Sequence, residues 1–180
     1  MALEPVLIAG EWRQAINPLG TLQAVNPRTK ETLSAVYPVS RSEDVVAALT
    51  AAQEAVVALR QIKPTQIAAF LEAFANNIEA RAHDLSLLAD TETALGYSPR
   101  LHDGELPRTT DQLRQAANAA RDGSWRLATI DTDSDIRSMY GPLSGPVVVF
   151  GPNNFPFAFN SVAGGDFAAA IAAGNPVIAK

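Results

Sequence analysis

An α/β fold is what this sequence predicts, with an incomplete parallel sheet near its end. Two unbroken apolar runs, Val147–Phe150 and Val177–Ala179, flank a helical stretch of small residues, Ser161–Ala173. Strand, helix and strand within about 30 residues make a β-α-β unit. Strands this uniformly apolar belong to a parallel sheet covered on both faces. Upstream, several segments repeat apolar residues at helical spacing, so helices precede the sheet.

The elements follow in order. Pro5–Trp12 and Thr21–Ser40 read as short strands and turns, punctuated by Gly10 and by Asn26-Pro27. Ser40 with Glu43 fits a capping box, which predicts a helix from about Arg41 with Val45, Leu49, Ala52, Val56 and Leu59 inward. Pro64 suits the first turn of a second helix, buried through Ile67, Phe70, Leu71, Phe74 and Ile78. A third helix covers about Ala82–Ala94 and stops near Gly96. A fourth runs from about Gly104 to Asp122 with Leu106, Leu113, Ala117 and Ala120 inward, and Gly123 stops it. Trp125–Pro142 reads as a polar hairpin with an acidic tip and sparse apolar positions at Leu127, Ile130, Ile136 and Met139. Gly174 separates the small-residue helix from the last strand.

Composition narrows the function. The chain has 180 residues, 47% of them hydrophobic, enough for a domain with a real core. A net charge of −5 leaves no broad basic footprint for nucleic acid and none for an acidic membrane surface. No stretch reaches the roughly 18 apolar residues of a spanning helix, and the start lacks the pattern of a signal peptide. A cytoplasmic protein is therefore expected. The chain has no cysteine, so it holds neither a thiol nucleophile nor a thiolate metal site.

Most other polar clusters have plain readings. Asp131–Asp135 begins like a calcium loop, but Ile136 and Pro142 stand where glycine and glutamate are required, so a solvated hairpin tip is expected. His83 and His102 lack a second ligand at metal spacing, and no metal site is expected. Arg100, Arg108, Arg114 and Arg121 lie among Asp103, Glu105, Asp111 and Asp122, the pattern of a solvated, salt-bridged face, with anion recognition as the alternative. Neither glycine-rich phosphate loop is present. Gly164-Gly165 fits close packing of helix on sheet, or access of a cofactor to a helix N-terminus; both can hold.

The most informative stretch is Gly151–Asn160, GPNNFPFAFN. Ligands of open α/β sheets bind beyond the carboxyl ends of strands, where Asn153 and Asn154 fall. An amide there has N–H donors to aim at a developing oxyanion, and Pro152 and Pro156 stiffen the loop. A simple turn is the alternative, since asparagine tolerates unusual backbone angles.

This loop, with Ala172–Lys180 (AAGNPVIAK), resembles the aldehyde dehydrogenase superfamily: P-x-N-F-P at Pro152–Pro156 and G-N-x-V-x-x-K at Gly174–Lys180 appear in order. Ile8–Trp12 and Ala24–Ser40 also match, so the likeness covers essentially the whole chain. Thr91–Arg114 and Phe157–Val177 look like the branch acting on 2,5-dioxopentanoate, also called α-ketoglutarate semialdehyde. Related members oxidise long-chain aldehydes with NADP.

The resemblance implies an aldehyde dehydrogenase-like fold with an incomplete Rossmann-like cofactor domain. Residues 1–125 would be its strands and helices, 126–141 an oligomerisation hairpin and 142–180 the first β-α-β unit. It implies NAD or NADP as cofactor, a small-molecule aldehyde as substrate and a homo-oligomer, dimer or tetramer, when full length. Residue by residue, Asn154 matches the asparagine that stabilises the oxyanion of a thiohemiacetal. Lys180 matches the lysine that binds the adenosine ribose, and Phe150, Gly151, Pro152 and Asn153 match the loop lining the nicotinamide-side ribose. Many members have tryptophan or serine at Asn153, a change that backbone contacts survive. The family's cysteine nucleophile and water-activating glutamate lie downstream of the lysine strand. The expectation is the front part of a longer enzyme, inactive as 180 residues. A non-catalytic module binding nucleotide or a partner is the alternative.

Overall fold

Turn chemistry and buried small residues set the boundaries of the elements in the computed structural model, which describes residues 2–180. Strand β1 (Val6–Ile8) pairs antiparallel with β2 (Glu11–Arg13). The two join through Ala9 and Gly10, both at positive φ. Strand β3 (Gly20–Leu22) pairs antiparallel with β4 (Tyr37–Val39). Between them, the carboxamide oxygen of Asn26 accepts the Arg28 amide at 2.9 Å, fixing the Asn26-Pro27 turn.

Helix α1 (Ser42–Leu59) does not use the expected capping box. Arg41 is the capping residue and no side chain closes the N-terminus. Asp44 is buried instead, where it accepts from the Arg13 guanidinium at 3.1 Å and from the Ile16 amide at 3.0 Å. That ties the helix to the β1–β2 hairpin. The expected apolar face is also corrected: Ala52 and Val56 are buried, but Val45 and Leu49 are exposed. The helix meets β1 and β8 along the row through Asp44, Ala52 and Val56, which leaves the other row open.

Helix α2 (Pro64–Glu79) opens with its proline, as expected. Helix α3 (Ala82–Thr93) ends at Ala94, which takes a left-handed conformation. A π-helical segment, Tyr97–Glu105, leads into α4 (Leu106–Asp122). The expected start near Gly104 thus falls inside a wider helical turn, in which the Leu101 amide reaches back to the Gly96 carbonyl. Gly123, at φ 71°, ends α4 as expected.

The core lies between α2, α4 and α5. Leu71, Ala68 and Ala75 of α2 pack with Leu113, Ala117 and Ala120 of α4 and Ala168 of α5. The alanines let the helix backbones approach, while Leu71 and Leu113 fill the remaining space, each contributing about 1.5–3 kcal/mol by burial. Phe70, expected inside, is exposed and stacks on Phe74, because Ala68 and Ala75 occupy the side turned to α4.

Strands β5 (Thr129–Asp131) and β6 (Ile136–Ser138) form the expected antiparallel hairpin. At its tip the Asp131 carboxylate accepts the Asp133 and Ser134 amides. Strand β7 (Val147–Val149) and β8 (Val177–Ala179) pair in parallel around α5 (Gly165–Ala172). Helix α5 begins later than Ser161 because the preceding amides are already bonded. Asn160 accepts from Val162 through its side chain and from Gly164 through its carbonyl, both at 2.8 Å. Val149 is buried but Val148 is not, so the two-stranded pair is not covered on both faces. Among the described residues no helix is long and apolar enough to cross a membrane.

Candidate functional site

The site begins where β7 ends. The Lys180 amide donates to the Val149 carbonyl at 2.9 Å, and the Gly151 amide donates to the Lys180 carbonyl at 3.2 Å. The parallel pairing thus continues one step past both strands and brings Gly151 beside Lys180. Gly151, Pro152, Asn153 and Lys180 all line one cavity of about 580 Å³. Its opposite wall is Ile78 of α2 with Leu85, Leu88 and Glu92 of α3. Burial pushes the Glu92 carboxyl above its ordinary range.

Four of the six expected site residues therefore share one cavity. Phe150 and Asn154 are not among its lining residues. Phe150 was expected inside β7 and instead follows it, 70% exposed. Asn154 is exposed on the turn that leaves the cavity.

A dinucleotide needs backbone within reach and polar donors without bulk. At Gly151 a Cβ would stand 2.9 Å from the Ser161 amide nitrogen, so only glycine lets the loop lie this close to the turn beyond it. Lys180 is exposed, with three N–H donors at its tip. Close backbone beside a free ammonium fits ribose hydroxyls, so the residues present suit such a cofactor. Gly164 serves packing. A Cβ there would come 2.6 Å from the Asn160 nitrogen, so the close contact is to the loop rather than to the sheet. Asp166 in the first turn of α5 also places negative charge where an anion would approach.

The turn carrying Asn154 is held from the π-helical segment. Glu105 is buried, and its Oε1 accepts the Phe157 amide at 2.8 Å and the Ala158 amide at 3.0 Å. Its Oε2 faces Arg100 Nε at 3.6 Å. Arg100 also donates through Nη2 to the Asn154 carbonyl at 3.0 Å, and its guanidinium lies 4.4 Å from the Phe155 ring centre. One ion pair thus grips both ends of Asn154–Ala158. Asn175, in the second motif, is buried and bonds the Leu143 and Gly145 carbonyls and the Leu143 amide, fixing the approach to β7.

The arginines expected on one solvated face divide three ways. Arg114 and Arg121 reach across to Glu79 and Glu72 of α2, so their partners are not the acids of their own helix. Arg100 joins the loop clamp, and Arg108 lies 5.2 Å from the Phe159 ring centre. Sequence reasoning missed Glu105 as part of the site. The signal was its spacing: Glu105 follows Leu101 by four and precedes Leu106, and both leucines are buried.

The aldehyde dehydrogenase family model matches residues 12–180. Alpha-ketoglutaric semialdehyde dehydrogenase 2 of Azospirillum brasilense is 45% identical over 171 residues, covering 89% of this chain and 32% of its own. Alpha-ketoglutaric semialdehyde dehydrogenase of Acinetobacter baylyi is 36% identical over 168 residues, covering 89% of this chain and 31% of its own. The chain spans about a third of the length of the curated relatives it matches. Among solved structures, an NAD-dependent benzaldehyde dehydrogenase from Corynebacterium glutamicum superimposes with a TM-score of 0.82 at 22% identity, over 99% of this chain and 38% of that one. A family match across nearly the whole chain and a shared fold agree with the loop and lysine strand that carry the site, and this chain belongs to the aldehyde dehydrogenase family.

Proposed function

We propose that this chain is the front part of an NAD(P)-dependent aldehyde dehydrogenase that oxidises 2,5-dioxopentanoate to 2-oxoglutarate. The observation that carries the reading is the meeting of Gly151, Pro152, Asn153 and Lys180 at one cavity, with Asn154 on the turn just beyond. The branch is taken from the two curated relatives, whose printed names give that substrate.

Each residue has a role. Lys180 donates to the adenosine ribose, and Phe150 to Asn153 bound the nicotinamide-side ribose through their backbone. NAD or NADP, when bound, supplies a hydride acceptor. The Asn154 side-chain amide donates to the oxygen of the aldehyde as that oxygen becomes negative. The thiolate that attacks the aldehyde comes from outside these 180 residues, which contain no cysteine. Residues 1–125 and 142–180 belong to the cofactor domain, and the hairpin at 126–141 joins subunits of a homo-oligomer through its open strand edges. Such an enzyme works in the cytoplasm.

The test is Asn154→Ala in the full-length protein, followed by NAD(P)H absorbance with 2,5-dioxopentanoate. Loss of one oxyanion donor lowers kcat by about 10²–10³-fold. An unchanged kcat removes Asn154 from the chemistry. No turnover of any aldehyde by the unaltered full-length enzyme ends the reading.

A further inference from the structure

We propose that Glu92 of α3 accepts the hydroxyls of the ribose that Lys180 contacts, so that α3 forms part of the nucleotide site. The inference rests on the reading of Lys180 as a ribose ligand and adds the acceptor on the facing wall.

Glu92 stands apart from the other acids of the chain. Among the described residues, six carboxylate side chains are wholly or partly withdrawn from solvent: Asp44, Glu72, Asp90, Glu92, Glu105 and Asp131. Five of these six accept from a guanidinium or from backbone amides, Asp44, Glu72, Asp90, Glu105 and Asp131. Among the described residues no such donor reaches Glu92, and burial alone holds its carboxyl above the ordinary range. A carboxylate taken from water without donors is costly. The two oxygens of Glu92 therefore call for donors that the folded chain does not supply.

The surroundings of Glu92 say what those donors are. Among the described residues it is the one carboxylate lining the cavity of about 580 Å³ that Gly151 and Lys180 also line. Thr93, Thr109 and Asn160 line it too, but their side chains are bonded to neighbouring backbone. Lys180 and Arg81 on the same walls disfavour a cationic occupant, and Glu92 disfavours an anionic group beside it. A hydroxyl meets both demands. It accepts from an ammonium, which has only donors, and it donates to a carboxylate, which has only acceptors. A ribose carries two such hydroxyls side by side, so one ring answers Lys180 and Glu92 together.

The experiment is equilibrium binding by calorimetry to the full-length enzyme without aldehyde, with ADP and 2′,3′-dideoxy-ADP as probes. The parent binds ADP roughly 10- to 100-fold more tightly, as expected for hydrogen bonds to a charged acceptor. Glu92→Ala loses most of that preference and leaves the affinity for 2′,3′-dideoxy-ADP within about threefold of the parent. Glu92→Gln, which keeps one acceptor oxygen, retains part of the preference. A merely structural role weakens both probes alike, and a preference that moves by less than about threefold in Glu92→Ala overturns the proposal. A parent with no preference overturns it without any variant, as does a parent that binds NAD(P) but not ADP. A parent that binds neither ADP nor NAD(P) is instead the failure of the functional reading, and the proposal falls with it.

Discussion

Glu105 shows how much one side chain can settle. A carboxylate this deep is costly to desolvate unless its oxygens are used; here Oε1 takes two backbone amides, while Oε2 makes no hydrogen bond and has only the charge of the Arg100 guanidinium, 3.6 Å away. Removing it leaves two buried donors unpaired and Arg100 without its counter-charge. Glu105→Ala is expected to cost about 3 kcal/mol in a urea or thermal melt, whereas Glu105→Gln, which keeps an acceptor, costs less. Equal stability of both variants and the parent would show that the loop is held by other contacts. The sequence displayed Glu105 only as one acid among several. Its burial depends on the π-helical segment packing against the Phe157–Ala158 backbone, 52 residues away in the chain. No local pattern carries a contact of that range, so the loop itself was legible while its clamp was not.

Between elements, α2 and α4 are joined by charge as well as by alanine. Arg114 donates to Glu79 at 2.8 Å and to Asn76 at 2.8 Å. The Arg114 guanidinium, helped by the Thr110 hydroxyl, lowers the Glu79 carboxyl to about 2. A carboxylate lowered on folding stabilises above its unfolded value and loses that contribution as pH falls through the folded one. The loss therefore belongs between about 4.5 and about 2. Glu79→Gln should lower the melting temperature slightly at neutral pH and converge with the parent near pH 2, flattening the fall across that window; the whole effect is modest, since both partners are substantially exposed. An identical acid profile in the variant would remove the pair from acid stability. Element types and order were readable here because proline, glycine and apolar spacing are local. The burial of Ala68 and Ala75 in place of Phe70 was not, because which side of a helix faces inward depends on its neighbour.

For the molecule as a whole, the open surfaces matter most. Ile130, Met139 and Tyr140 stand out from the hairpin, and Val148 and Phe150 from the parallel pair. The loop proposed to line the cofactor lies within these 180 residues, but they contain no cysteine to act as the proposed nucleophile. The purified 180-residue chain is expected to produce no NAD(P)H from any aldehyde, and turnover by it would overturn that expectation. The family was legible because its two motifs are contiguous runs of residues. The shared cavity was not, since it needs α2 and α3 to form the far wall.

The bonds from Lys180 to Val149 and from Gly151 to Lys180 have a consequence for how such a chain tolerates insertions. Side chains on a strand alternate between faces, so sliding β8 by one position would turn the Lys180 ammonium to the opposite side without disturbing any helix. Lengthening or shortening the connection around Gly174 by a single residue would, by the same alternation, turn Lys180 away from the Gly151 loop and from the nucleotide it is proposed to hold. The distance in chain between loop and lysine is thus held as a count, and its parity matters as much as the identity of either residue.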